Sequence, residues 1–241
     1  MHTSSLRVQV ISPCLTFQAD SPYSTRMRVL AMKSAGVNVQ VFARPDAYPD
    51  SVGALGAPYA GLREEFSPRF VRTVEWLAAR LGTLWQFIAE PFLVMYGGCR
   101  RARRQGCDLV FISDVEPWIT LLLCLLLRVR RYPLPLTGST PGNYSGYWRV
   151  ASLRTRSRAW LNYRLIRRLS SFMDLTCTTS HIRETLRLAR DPRVHVIPEG
   201  HENLIGVCPR DDARRALGLP LEPRMVLLFG VGSNAKGANI L

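Results

Sequence analysis

The chain has 241 residues, enough for one large domain or for one and a half, and 47% of them are hydrophobic while 21% are charged. These proportions are those of an ordinary globular protein with a sizeable core. The formal charge of +14 implies attraction to something anionic, such as a membrane surface, nucleotide phosphates or nucleic acid.

The cysteine pattern and the N-terminal sequence indicate the cellular compartment of the protein. The six cysteines form no C-x-x-C motif and no pairing with the four histidines, so neither a zinc site nor a disulfide framework is expected. We therefore expect no metal and a reducing environment. The N-terminus has a short apolar run at residues 8–11 but no basic segment followed by a longer apolar core, which argues against secretion. The sequence predicts a cytoplasmic protein.

The first elements alternate between strand and helix. Residues 6–12 form a short apolar run that predicts a strand. Apolar residues then recur at helical spacing over residues 24–35, and Gly36 stands where a helix commonly ends. Residues 37–43 predict a second strand. This strand-helix-strand start predicts an α/β fold with a Rossmann-like, doubly wound parallel sheet.

The middle of the chain predicts one long loop and three helical segments. Residues 44–68 are rich in Pro, Gly, Asp and Ser, which is typical of an irregular surface loop. Residues 70–88 predict an amphipathic helix, and Pro91 is expected to kink or divide the helical pattern after it. Residues 118–127 are strongly apolar but shorter than the roughly 18 residues that span a membrane, so they predict a buried core helix.

The second half continues the alternation, with a polar segment at residues 137–145 after one of its strands. Ligands commonly bind in loops at the carboxyl ends of parallel strands, although a plain connecting loop fits this segment equally well. The predicted strands are residues 108–113, 133–136, 174–180 and 194–198, and the predicted helices are residues 149–168, 181–188 and 209–217.

The predicted helix over residues 149–168 carries seven arginines between apolar residues. A solvated face, a surface that docks on an anionic membrane, and a nucleic-acid contact are all compatible with this pattern. No nucleic-acid-binding signature accompanies it, so we expect no nucleic acid partner.

The C-terminal stretch predicts an anion site. An apolar run at residues 225–229 leads into the glycine-rich residues 230–235 and then into Lys236, one of only two lysines in the chain. A strand, a tight loop and a helix start present unsatisfied N–H groups to an anion. The P-loop pattern is excluded, because Ala235 and Gly237 occupy its second glycine and hydroxyl positions. A loose dinucleotide fingerprint and a plain turn remain open alternatives.

Three segments together resemble the two-domain GT-B glycosyltransferases, specifically the retaining family-four group. They are V-x-V-I-P-x-G at residues 194–200, A-R-R-x-L-G-L-P at residues 213–220, and the apolar strand at 226–229 that leads through Gly230 to Lys236 and Gly237. The resemblance implies a first Rossmann-like domain over residues 1–205 and the beginning of a second over residues 206–241. It also implies transfer of a sugar from a nucleotide-diphosphate sugar to a lipid-linked or polysaccharide precursor, with no cofactor and no metal.

The resemblance assigns site residues as well. The donor diphosphate would bind at Gly230, Gly232, Ser233, Asn234, Lys236 and Gly237, and Glu199 and Gly200 would lie on the donor side of the cleft. The acceptor side would include Tyr23, Arg26, Asp114, Glu116, Thr137 and Tyr144.

The acidic E-x7-E segment of the family would lie beyond Leu241. The chain is therefore expected to be the N-terminal part of a longer enzyme and inactive alone. Two other classes remain open. One is a dinucleotide-dependent α/β enzyme. The other is a non-catalytic module held at the inner face of a membrane by the arginine-rich helix and the apolar helices.

Overall fold

The computed structural model describes residues 5–13, 20–43, 57–82, 85, 89–113, 115–140, 153–178, 180–197, 209–216, 218 and 220–222. Seven strands lie in one all-parallel sheet in the order β3-β2-β1-β4-β5-β6-β7. The strands are β1 (Arg7–Ser12), β2 (Asn38–Ala43), β3 (Tyr59–Ala60), β4 (Leu109–Ile112), β5 (Leu136–Ser139), β6 (Asp174–Cys177) and β7 (Val194–Val196).

Within the described residues, helices connect every pair of consecutive strands except β2 and β3. The helices are α1 (Asp20–Ser34), α2 (Leu62–Glu65), α3 (Pro68–Leu81), α4 (Glu90–Arg104), α5 (Pro117–Val129), α6 (Leu153–Leu169), α7 (Ser180–Thr185) and α8 (Arg210–Ala216).

The helices cover both faces of the sheet. On one face, Val29 of α1 packs with Val10 and Val41 of the strands. On the other face, α4, α5 and α6 pack against Ile11 and Ile112 in a larger cluster. Neighbouring residues of one strand point to opposite faces, so β1, β2 and β4 contribute to both cores. The predicted Rossmann-like, doubly wound α/β fold is confirmed.

Helix α1 ends as its sequence predicts. Gly36 has a φ of +78°, and its amide donates to the carbonyl of Lys33 at 2.9 Å. The next amide, that of Val37, donates to Met32 at 3.0 Å, which completes a Schellman motif. The helix begins earlier than predicted, at Asp20, because Asp, Ser and Pro are all accepted in a first turn.

The prediction of one irregular loop over residues 44–68 is wrong in its second half. Strand β3 pairs with β2 there, and α2 follows directly. The carboxylate of Glu65 is buried between α2 and α4 and ion-pairs with Arg100 at 3.1 Å and Arg104 at 3.5 Å. Residues 44–56 lie outside the described residues.

The amphipathic helix is shorter than the predicted span of residues 70–88. It begins at Pro68, where the Ser67 hydroxyl accepts a hydrogen bond from the amide of Phe70. It ends at Leu81, because Gly82 takes a positive φ of +48°. The predicted kink or division at Pro91 is not where the helix ends, because Pro91 lies in the first turn of α4 whereas α3 already ends at Leu81.

The strand predicted at residues 133–136 is displaced to Leu136–Ser139. Pro133 and Pro135 have no amide hydrogen for a ladder, whereas the Pro135 carbonyl accepts from Val110 at 3.1 Å. Position 138 of β5 favours glycine, because a Cβ there would come within 2.5 Å of Val115 and 2.7 Å of Met173.

Helix α5 packs in the core, as predicted, but it buries only one of its faces. Leu123 and Leu127 are buried, whereas Leu122, Leu125 and Val129 are exposed. No helix among the described residues combines the length and apolar character needed to cross a bilayer.

The predicted domain boundary at residues 205 and 206 stays a prediction. Helix α8 lies after that boundary, and the predicted strand at residues 225–229 falls outside the described residues.

Close contact of α4 with the sheet gives a stability prediction. A Cβ at Gly98 would lie 2.6 Å from Ile11 Cδ1, so Gly98→Ala should lower the free energy of unfolding by about 1–3 kcal/mol. Helix propensity alone would raise it by roughly 1 kcal/mol. Urea denaturation shows whether Gly98→Ala lowers or raises the free energy of unfolding. Ile11→Val removes Cδ1, so it should cost less in the Gly98→Ala background than in the wild type. A more stable Gly98→Ala protein would contradict the close contact.

Candidate active site

A row of polar side chains crosses the sheet at the edge where its strands end, here called the carboxyl edge. Ser139 of β5 lies opposite Thr176 of β6, which lies opposite His195 of β7. On the neighbouring strands, Ser12 ends β1 and Ser113 follows β4, each one position beyond a paired residue. Five adjacent strands thus present hydroxyl or imidazole groups in register.

The sheet reverses its order within this row. Strand β1 is followed along the chain by β2 on one side, whereas β4 is followed by β5 on the other side. Ligands of doubly wound folds bind in the crevice at the carboxyl ends of such a pair of strands. In this chain the crevice lies between Ser12 and Ser113.

Three side chains meet beside this crevice, and we call them the switch-point cluster. The hydroxyls of Thr25 and Ser113 lie 2.6 Å apart, and both side chains are buried. Nη1 of Arg28 donates a hydrogen bond to the Ser113 hydroxyl oxygen at 3.0 Å. Because Thr25 and Arg28 are three residues apart on α1, the helix presents both to the end of β4.

Ser12 adds a further polar group next to the switch-point cluster. Its side chain is 4% exposed, and its hydroxyl has no hydrogen-bond partner among the described residues. A buried hydroxyl without a partner is costly unless a ligand or water satisfies it. By strand alternation Ser12 points to the same face as Val10, which is the face that α1 covers.

The arrangement is suited to an anionic group. A guanidinium with neighbouring hydroxyls can donate several charge-assisted hydrogen bonds to phosphate or carboxylate oxygens. Arg28 is half-buried, so water screens its charge less than that of an exposed arginine.

Two predicted acceptor-side residues are described with their surroundings. Glu116 is half-buried and is the N-cap residue of α5, directly after the end of β4. It therefore lies at the carboxyl edge, as expected. Thr137 is not in a loop, which corrects its prediction, because β5 extends to Ser139 and places Thr137 within the strand.

The other predicted acceptor-side residues are described in part or not at all. Tyr23 and Arg26 lie on α1 rather than in the loop before it, and only their backbone is described. Asp114 and Tyr144 lie outside the described residues.

The predicted donor-side residues also lie outside the described residues, and their roles stay predictions. These are Glu199, Gly200, Gly230, Gly232, Ser233, Asn234, Lys236 and Gly237.

The sequence analysis missed Thr25, Arg28 and Ser113. Thr25 and Arg28 fell within a predicted helix, and Ser113 within a predicted buried strand. One local signal was present, since a threonine and an arginine three residues apart near a helix start share a helix face. Their contact with Ser113 has no local signal, because Ser113 lies 88 positions after Thr25 and 85 positions after Arg28 in the sequence.

Thiol and metal chemistry find no support in the described part of the chain. Burial raises the pKa of the Cys124 thiol to about 12. Burial, together with the neighbouring Cys124, raises the pKa of the Cys99 thiol. Such thiols are poor nucleophiles at neutral pH. No three His, Cys, Asp or Glu side chains in the described ranges gather as metal ligands would.

Comparisons with known proteins give one structural likeness. No protein-family model matches the chain, and no curated protein matches it. Among solved structures, the glycosyltransferase SnogD from Streptomyces nogalater matches with a TM-score of 0.42 and 16% sequence identity. The match covers 86% of this chain but only 55% of SnogD. At this level of likeness, two chains need not share an activity.

The buried hydrogen bond of the switch-point cluster gives a prediction on stability. Thr25→Val and Ser113→Ala should each lower the free energy of unfolding by about 1–2 kcal/mol, since each removes the same buried hydrogen bond. The double variant should lose less stability than the sum of the two single losses, by roughly 0.5–1.5 kcal/mol. Urea denaturation of all four proteins measures this coupling. Strict additivity would show that the two hydroxyls do not interact.

Proposed function

We propose that the chain takes part in glycosyl transfer from a nucleotide-diphosphate sugar to a phosphate-bearing, lipid-linked or polysaccharide precursor. The observation that carries this proposal is the switch-point cluster, where Thr25, Arg28 and Ser113 meet beside the crevice of the sheet. A cation with hydroxyl donors, in a position where α/β folds bind ligands, supports an anionic substrate group.

Sugar transfer to a phosphate-bearing acceptor uses two separate anion sites. The oxygen of the acceptor hydroxyl forms a bond to the anomeric carbon of the donor sugar, the bond from that carbon to the diphosphate breaks, and the hydroxyl proton passes to the leaving diphosphate or to water. Negative charge develops on the diphosphate as it leaves. In our proposal the switch-point cluster orients the anionic group of the acceptor. Lys236 and the amides of residues 230–237 receive the diphosphate, with Glu199 and Gly200 nearby.

The first strand-helix connection lacks a dinucleotide fingerprint, so the alternative of a dinucleotide-dependent enzyme depends on residues 230–235 alone. Dinucleotide-binding folds carry a glycine-rich fingerprint directly after β1, where the backbone must approach the pyrophosphate. Residues 13–19, between β1 and α1, contain no glycine. We also propose a cytoplasmic location, which the free, buried thiols of Cys99, Cys107, Cys124 and Cys177 support.

The proposal predicts a kinetic role for Arg28. Arg28→Gln keeps a hydrogen-bond donor but removes the charge, so it should lower kcat/KM for sugar transfer by roughly ten- to a hundred-fold. Because the chain is expected to be inactive alone, the assay uses the chain completed by its second domain. It combines a panel of nucleoside-diphosphate sugars with phosphate-bearing acceptors and measures both nucleotide release and product. Arg63→Gln is the matched control, because Arg63 is exposed and ion-pairs only at the surface with Glu75. Equal turnover of Arg28→Gln and the control would refute the role of Arg28.

A separate prediction tests the donor side. Lys236→Ala should lower kcat/KM by roughly a hundred-fold or more, because the charge on the diphosphate is larger in the transition state than in the ground state. Lys236→Arg should restore only part of the loss, since a planar guanidinium does not replace a point charge. The same transfer assay applies. Wild-type turnover of Lys236→Ala would mean that this lysine is merely solvated.

A further inference from the structure

Helices α3, α5 and α6 expose large apolar side chains to solvent. Among the described residues, eight of the eleven exposed large hydrophobic side chains lie on these three helices. Trp76 of α3 and Leu122 of α5 are each 53% exposed, and Trp160 of α6 is 46% exposed. We call the outer surface of these three helices the basic helical face, because the helices carry many arginines and almost no acidic residues.

An apolar groove opens on the basic helical face. It has a volume of about 470 Å³ and lies between α3 and the first turns of α4 and α5. Its walls include Val74, Leu77, Trp85, Phe92, Trp118 and Leu122. Exposed apolar surfaces of this kind mark sites that contact a protein, a ligand or a membrane.

The three helices carry mostly one sign of charge. They contain ten arginines and a single acidic residue, Glu75. The carboxylate of Glu75 is itself in an ion pair at 2.8 Å, so it neutralises little of this charge. Two further carboxylates, those of the buried Glu90 and the half-buried Glu116, lie at the starts of α4 and α5. The exposed positive charge beside the groove therefore lies on α3, where Arg69 and Arg72 are exposed next to groove residues of the same helix.

Two of the exposed tryptophans lie beneath arginines. The guanidinium of Arg80 lies 4.3 Å from the ring centre of Trp76, and that of Arg164 lies 4.5 Å from the ring centre of Trp160. Such pairs combine a broad apolar ring with a cation held at its face. Tryptophan rings and arginines are characteristic of the boundary between lipid headgroups and acyl chains.

We infer that the basic helical face docks on an anionic lipid bilayer. The exposed arginines of α3, and those that α6 exposes within residues 160–169, bind headgroup phosphates. Trp76 and Leu122 enter the acyl boundary, and hydrocarbon fills the groove. Charge complementarity favours this partner over a neutral protein surface. A nucleic acid would match the charge but would leave the apolar groove and the exposed side chains of α5 in water. This inference does not depend on the proposed sugar transfer.

The docked face also reaches the edge that carries the candidate site. Helix α5 begins directly after β4, so Trp118 and the end of the groove that it forms lie at the carboxyl edge. Docking therefore holds the crevice beside Ser113 near the plane of the lipid phosphates.

Sedimentation with vesicles tests the charge. The wild-type chain should bind phosphatidylglycerol–phosphatidylcholine vesicles and bind pure phosphatidylcholine vesicles far more weakly. Arg69→Gln/Arg72→Gln should weaken binding to the anionic vesicles by about 25-fold, at about five-fold for each arginine near the surface. Arg187→Gln/Arg190→Gln removes the same charge from exposed positions outside the face, so its binding should change less than two-fold.

A second pair of variants tests insertion into hydrocarbon. Trp76→Ser/Leu122→Ser should weaken binding roughly ten-fold, and this loss should persist in high salt because it is not electrostatic. Both side chains are half-exposed, so the fold should survive, which urea denaturation checks. Leu6→Ser is the control, because Leu6 is 47% exposed at the opposite edge of the sheet. Brominated acyl chains should quench tryptophan fluorescence in the wild type and less in Trp76→Phe.

Three results would overturn the inference. They are equal binding to neutral and anionic vesicles, equal loss of binding in the Arg69/Arg72 and Arg187/Arg190 variants, and an absence of quenching by brominated chains. Displacement of the chain from anionic vesicles by a small molar excess of single-stranded RNA would also count against it, in favour of a nucleic acid partner.

Discussion

Right-handed crossovers decide on which face of a parallel sheet each helix can lie. From β1 the chain moves to β2 in one direction, and from β4 it moves to β5 in the opposite direction. The same handedness therefore places α1 on one face and α5 on the other, as the two core clusters show. The ends of β1 and β4 are left side by side with a helix on each flank. The position of the crevice is a consequence of this topology.

Strands β1, β2 and β4 were predicted closely, β6 and β7 were predicted with the correct first residue but an end two or three residues too late, and β3 was missed and β5 displaced. The predicted limits of β1, β2 and β4 agree with the structure to within one residue at each end. Strand β3 has two residues, too few for a local pattern, and it exists through pairing with β2. Strand β5 was displaced because Thr137 to Ser139 are polar and resemble a loop. Ser139 of β5 belongs to the polar row at the carboxyl edge. The polar residues that form the candidate site thus obscured the apolar pattern by which a strand is predicted.

The candidate site was predictable in position but not in composition. The rule that ligands bind at the carboxyl ends of parallel strands pointed to the segments after β1, β4 and β5. It could not select Thr25, Arg28 and Ser113, since their contact joins the first turns of α1 to a strand end in another crossover unit. Ser113 carries no local sign of function, because a serine that ends a buried strand is ordinary. Ser113 is a candidate site residue because Thr25 and Arg28 of α1 contact it.

The high arginine content alone does not account for the distribution of charge. A general preference for arginine would add cations throughout the chain and would leave the acidic residues where they were. Here α3, α5 and α6 hold ten of the 30 arginines but only one of the 18 acidic residues. The same helices expose tryptophan and leucine, which a merely solvated face would not need. Depletion of acid and exposure of apolar groups therefore coincide on one surface, and each is what contact with an anionic bilayer requires.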